Sequence, residues 1–149
     1  MAFKAWHIPV RLATGAYILN SGLAKRDADE ETAKRLHGFA TTAYPEVQDT
    51  PPDKFVNLLS TGEITVGTLL LVPVVPTVVA GAALTTFAAM LGRLYLNTPG
   101  MREEGGIRPT EQGTPLAKDV WMLGIGTALM LDGLGDRRRL LRLALAAAS

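Results

Sequence analysis

ITVGTLLLVPVVPTVVAGAALTTFAAMLG, residues 64–92, carries no charged side chain. As one straight helix it would be about 44 Å long at ~1.5 Å per residue, more than the ~30 Å hydrocarbon core of a bilayer. Pro73 and Pro76 sit in its middle. Each lacks a backbone donor and disfavours helix in the residue before it. The stretch therefore reads as two membrane-crossing helices joined by a tight turn at Pro73-Val74-Val75-Pro76. One extends back to Pro52 and the other forward to Leu96, giving spans over residues 52–72 and 77–96. Each then has the ~20 residues that a crossing needs. A buried hairpin of a soluble all-α domain is the rival reading. So little polar surface flanks the run that the membrane is favoured.

Two more spans complete the pattern. The first covers residues 8–25, with Pro9 in the first turn, where a missing N–H does no harm. It holds Arg11, Tyr17, Asn20 and Ser21 against an apolar side of Leu12, Ile18, Leu19 and Leu23. Its polar stripe should face protein. Gly15 and Gly22 would admit a close helix partner, as would Gly81, Ala82, Ala83, Ala88 and Ala89 on the third span. The fourth span, residues 116–134, follows Thr114-Pro115 and places Trp121 near one interface. Gly133-Leu134-Gly135-Asp136 is expected to end it, leaving residues 137–149 as a separate amphipathic surface helix with arginines on one face.

The connection between the first two spans is polar. Asp27 and Glu30 have the spacing of a capping box. An amphipathic helix is expected over residues 28–43, with Ala33, Leu36, Ala40 and Ala43 on one face, lying on the membrane surface or capping the bundle. Residues 101–113 are polar and glycine-rich and read as a mobile loop or a docking segment. The prediction is thus one all-α domain over residues 1–149: an integral membrane four-helix bundle with an amphipathic helix in its first loop.

Composition bounds the chemistry. A net charge of +1 over 149 residues gives no case for nucleic acid. The chain has no cysteine, which excludes disulfides, thiolate metal sites, iron–sulfur clusters and cysteine nucleophiles. His7 and His37 lack ligand spacing, so no covalently or metal-held cofactor is expected. No signal peptide is apparent at the N-terminus. Arg137, Arg138, Arg139 and Arg142, next to an apolar span, mark a cytoplasmic membrane edge. Four spans put both termini on that side of the cell membrane, although Lys25, Arg26, Lys34, Arg35 and Lys54 in the first loop compete in the count. Membrane lipids and other membrane subunits are the expected partners.

Ionisable groups within spans usually face the bundle interior. The topology puts Arg93 level with Asp119, and Arg11 level with Asp132, as structural ion pairs or helix-end anchors. Glu63 is left near mid-depth, with Arg11, Tyr17 and Asn20 as its nearest polar candidates. It is either a structural tie to the first span, paired with Arg11, or a proton-titrating or ligand-binding group.

The string Arg11-Leu12 with Gly15, then Asn20-Ser21-Gly22-Leu23-Ala24-Lys25, resembles the opening of the DoxX-like family of small four-helix membrane proteins. Glu63, Gly67 and Leu69-Leu70-Leu71 resemble its E-x-x-x-G-x-x-L-L signature, and Asp132-Gly133-Leu134-Gly135 its glycine-containing close. The resemblance covers residues 8–136 and departs from the pattern in the longer, acidic first loop and in the 101–113 loop. It implies an integral four-helix bundle, with Arg11, Lys25 and Glu63 as family-like intramembrane polar residues. Some members belong to membrane oxidoreductase systems such as thiosulfate:quinone oxidoreductase. Three functions follow: a non-catalytic accessory subunit of a membrane redox or respiratory complex, a component binding a quinone between the first two spans, or a small transporter or lipid-binding protein.

Overall fold

The computed structural model describes residues 4–147, and everything regular in them is helical. The long helices are α1 (His7–Arg26), α3 (Pro52–Leu71), α4 (Thr77–Asn97) and α6 (Val120–Ala147). Two shorter ones complete the set, α2 (Glu30–Thr41) and α5 (Thr114–Ala117), with a single 3-10 turn at Pro45–Val47. Among the described residues no strand forms; Arg102 and Pro109 make one isolated bridge. Residues 1–3 and 148–149 lie outside the described residues, and so do the side chains of the expected tail at 137, 139–144 and 147.

Helix ends follow local chemistry. Pro52 opens α3 and Pro73 stops it after Leu71, where Val75 N–H closes a turn onto Val72 O at 3.2 Å. Pro76 then precedes the first residue of α4. The proline turn thus forms where the sequence puts it. Lys25 and Arg26 lie in the last turn of α1, where cations suit the helix dipole. Two expectations need correction. The cap of α2 is Asp29, whose carboxylate accepts from Thr32 N–H at 2.8 Å, and not Asp27. Thr32, through its hydroxyl first and then its backbone N–H, holds the Asp29 carboxyl below its ordinary value. The glycines at 133 and 135 do not end a helix either: α6 runs unbroken for 28 residues. A helical glycine costs only about 1 kcal/mol against alanine, and the leucines, alanines and arginines that follow are strong helix formers.

The long helices alternate in direction and pack as two antiparallel pairs, α1 with α3 and α4 with α6. Glycines let the backbones touch. A Cβ on Gly22 would lie 2.9 Å from Ile64 N, and one on Gly67 2.7 Å from Leu19 N. On the other pair a Cβ on Gly81 would lie 2.5 Å from Met130 N, and one on Gly126 2.7 Å from Thr85 N. The pairs meet over Ile18, Leu70, Leu84, Met122 and Leu129, with Ala80 and Ala88 filling the narrow places.

One end of the bundle is closed by α2, which buries Ala33 and Ala40, and by the turn after it, which buries Ala43. His37 of α2 meets the Phe55 ring edge-on at 5.4 Å and bonds Val47 O. Tyr44 donates to Met90 O and ties this cap to α4. The loop from Thr98 to Gly113 is knitted together. Tyr95 donates to Ile107 O, and Arg102 to Leu96 O and Gly106 O, while Met101 is buried. Gly100 and Gly105 supply its two positive-φ positions.

Among the described residues one helix, Thr77–Asn97, is long and apolar enough to cross a membrane. α1 carries Arg11, Lys25 and Arg26, α3 carries Asp53, Lys54 and Glu63, and the expected span 116–134 is split between α5 and an α6 that carries Asp132 and Asp136, so the expected spans 8–25, 52–72 and 116–134 are not marked by composition alone.

Candidate functional site: the polar seam between α1 and α3

Register decides which polar groups meet. With Gly22 backed against Glu63 and Gly15 against Leu70 and Leu71, the antiparallel pair sets residue 63 level with residue 22. Lys25, one turn further along α1, reaches across the seam. Its ammonium lies 2.9 Å from Glu63 Oε2 and 2.7 Å from the Ser21 hydroxyl. Glu63 is 5% exposed. Ser60, one turn before it, donates to Gly22 O at 2.8 Å. Glu63 is therefore tied to helix α1, through Lys25 and not through Arg11.

Arg11 lies where α3 ends. Its Nε donates to Leu70 O at 2.7 Å, and its two terminal nitrogens donate to Leu69 O, Val72 O and Val75 O at 2.9 to 3.3 Å. These carbonyls belong to the last turn of α3 and the proline turn, where no helical N–H follows to satisfy them. The planar guanidinium, with donors on three nitrogens, suits several acceptors at once. Arg11 is 2% exposed, a buried cation surrounded by carbonyl dipoles.

Tyr17 and Asn20 face outward; Tyr17 is 62% exposed and meets the Trp121 ring edge-on at 6.5 Å. They are not part of the seam. Arg93 pairs with Glu46 at 3.0 Å and stacks over Tyr44, so it does not pair with Asp119. The Glu46 carboxyl is held below its ordinary value, first by its own backbone N–H and then by Arg93. Among the described residues no cation lies within ion-pair reach of Asp119. Asp132 does not meet Arg11. It takes Lys4 at 2.6 Å and His7 at 3.0 Å, while Lys4 also reaches Asp136. The Asp132 hydrogen bond holds the Lys4 amine above its ordinary value.

This second cluster joins the start of α1 to α6 and was not legible in the sequence. Nothing local in Lys4 or His7 points 125 residues or more downstream. Ser21 did carry a signal, since it stands four residues before Lys25 on one helical face.

A cleft of about 390 Å³ opens beside the Lys25–Glu63 pair, between the end of α1, the start of α2 and the start of α3. Lys25 forms part of its wall with Arg26, Glu30, Lys34, Asp53 and Asn57. Among the described residues no cluster of His, Asp or Glu is arranged to hold a metal ion. No family model, curated protein or solved structure matches the chain.

Proposed function

We propose that the chain is a multi-pass protein of the cell membrane, crossing it with α1, α3, α4 and α6, and that it is a non-catalytic accessory subunit of a membrane redox or respiratory complex. The observation that carries this reading is the direction of its polarity. Arg11, Thr14, Ser60 and Glu63 are buried, whereas Leu12, Leu58, Met90 and Leu131 are 53%, 70%, 51% and 65% exposed. In water that arrangement leaves apolar surface uncovered on every long helix. In lipid it is the stable one, because ionisable groups turn inward and apolar ones outward. The DoxX-like resemblance agrees with both parts of the proposal. The accessory role is supported by the polar seam itself, where Arg11, Lys25 and Glu63 are each bound by protein partners that fix helix against helix.

A quinone between α1 and α3, with Glu63 exchanging protons, is the alternative. Backbone contact at Gly15, Gly22 and Gly67 fills the space that such a ring would need.

The absence of native cysteine makes the membrane part easy to test. Single cysteines at the exposed mid-helix positions Ala16, Thr86 and Ala128 should resist a membrane-impermeant maleimide. Cysteines at Val74 and Ile107, in the connections, should react. Equal labelling of both sets would overturn the membrane reading. For the accessory role, native membranes solubilised in mild detergent should yield the chain in a larger assembly with oxidoreductase subunits. A lone monomer would overturn that part.

A further inference from the structure

The cleft at the α2 end holds an unusual balance of charge. Three cations and two anions line it: Lys25, Arg26 and Lys34 against Glu30 and Asp53. Two of the cations are already answered. Lys25 is bound by Glu63 and Ser21, and Lys34 by Glu30. The side chains of Arg26 and Asp53 have no hydrogen-bond or ion-pair partner among the described residues, and they do not reach each other. What remains is one guanidinium on α1 and one carboxylate on α3, facing a shared space, with the Asn57 amide beside them. A purely anionic ligand would meet Asp53, and a purely cationic one would meet Arg26. A ligand carrying both charges satisfies both walls.

We propose that this cleft binds a zwitterionic amine–phosphate, the phosphoethanolamine headgroup of a membrane lipid. A guanidinium matches phosphate oxygens with paired N–H donors. A carboxylate accepts hydrogen bonds from a primary ammonium, which a quaternary ammonium cannot donate. The volume of about 390 Å³ falls at the small end of ligand pockets, suited to a headgroup. The lipid as source rests on the membrane reading above. Leu23, three residues before Arg26 and on the same face of α1, is 48% exposed and offers a track for an acyl chain toward the bundle middle.

The test uses the full-length chain in mild detergent, followed by native mass spectrometry. It is titrated with phosphatidylethanolamine, phosphatidylcholine and phosphatidylglycerol of equal chain length, and separately with free phosphoethanolamine. The ethanolamine lipid should be retained about tenfold more strongly than either other lipid, the effect of one charge-assisted hydrogen bond. Asp53→Asn should abolish that preference, because its carboxylate is what answers the primary ammonium, and Arg26→Gln should weaken all three phosphate-bearing lipids about equally. Lys54→Gln, exposed on α3 but outside the cleft, should leave it unchanged. Circular dichroism should be the same in all three variants, since Arg26, Asp53 and Lys54 are all exposed. Equal adducts of all three lipids on the unmodified chain, a preference that survives Asp53→Asn, or lipid binding unchanged by Arg26→Gln would overturn the proposal. Tight binding of free phosphoethanolamine without a lipid preference would overturn the lipid as source. That result is distinct from failure of the membrane reading, which maleimide labelling decides independently.

Discussion

The α1/α3 and α4/α6 pairs are built on the same contact but held by different forces. Each has two glycines seven residues apart on one helix, Gly15 and Gly22 or Gly126 and Gly133, and one on its partner, Gly67 or Gly81. Across α1/α3, side chains add an ion pair, a serine-to-carbonyl bond and four bonds from one arginine to the end of α3 and the turn after it. Across α4/α6, among the described residues, no side-chain hydrogen bond crosses; Thr85 donates back to Gly81 within its own helix. The difference follows from composition. α4 is the apolar helix and gains from close packing alone, whereas α1 carries cations that must be answered inside the bundle.

The largest test of this contrast is Lys25→Met. It leaves Glu63 buried without its cation and should destabilise by about 3 kcal/mol. Thermal unfolding, followed through Trp6 and Trp121 fluorescence, would measure it. The double variant Lys25→Met/Glu63→Leu should recover most of the loss; no recovery would mean that the ion pair is not what ties the helices. Arg11→Leu should cost about 2–3 kcal/mol by orphaning the carbonyls at the end of α3. Arg11→Lys should restore only part of it, because a single ammonium cannot reach all four. A lysine variant as stable as the original would show that charge, and not the shape of the fork, is what matters there.

On the uncharged pair, Gly126→Ala should cost about 1–3 kcal/mol, because its new methyl meets Thr85 backbone and forces α4 and α6 apart. The smallest effect has the opposite sign. Gly135 is a helical glycine with nothing within 4 Å of its missing Cβ. Gly135→Ala should stabilise by about 0.5–1 kcal/mol. A loss of stability instead would place an unseen neighbour on that face of α6.

What could be read without coordinates was local. Pro73 and Pro76 fix a turn through their own rings, and Pro52 fixes a helix start. The all-α class and the face of α2 followed from spacing along the chain. The partner of Glu63 did not. Choosing Lys25 over Arg11 needs the offset of two antiparallel helices to within one turn, and that offset comes from Gly22 meeting Glu63, a contact 41 residues apart. The Gly133 and Gly135 pair was overread for a similar reason. Gly133 is there because Val78 of α4 packs against it, with a Cβ at 133 only 2.6 Å from Val78 Cγ2. A packing glycine and a terminating glycine look the same in one dimension.

Arg11 and its carbonyls also set an order of events during synthesis. The four acceptors lie 58, 59, 61 and 64 residues downstream of the arginine. At ~5–20 residues per second, the ribosome completes that distance roughly 3–12 s after making Arg11. Through that interval α1 has a cation and no α3 to answer it. Stable docking of α1 must therefore wait for α3, and the two fold together as a hairpin. The proline turn at 73–76, which completes the acceptor set, becomes the checkpoint at which the nascent chain commits to its fold.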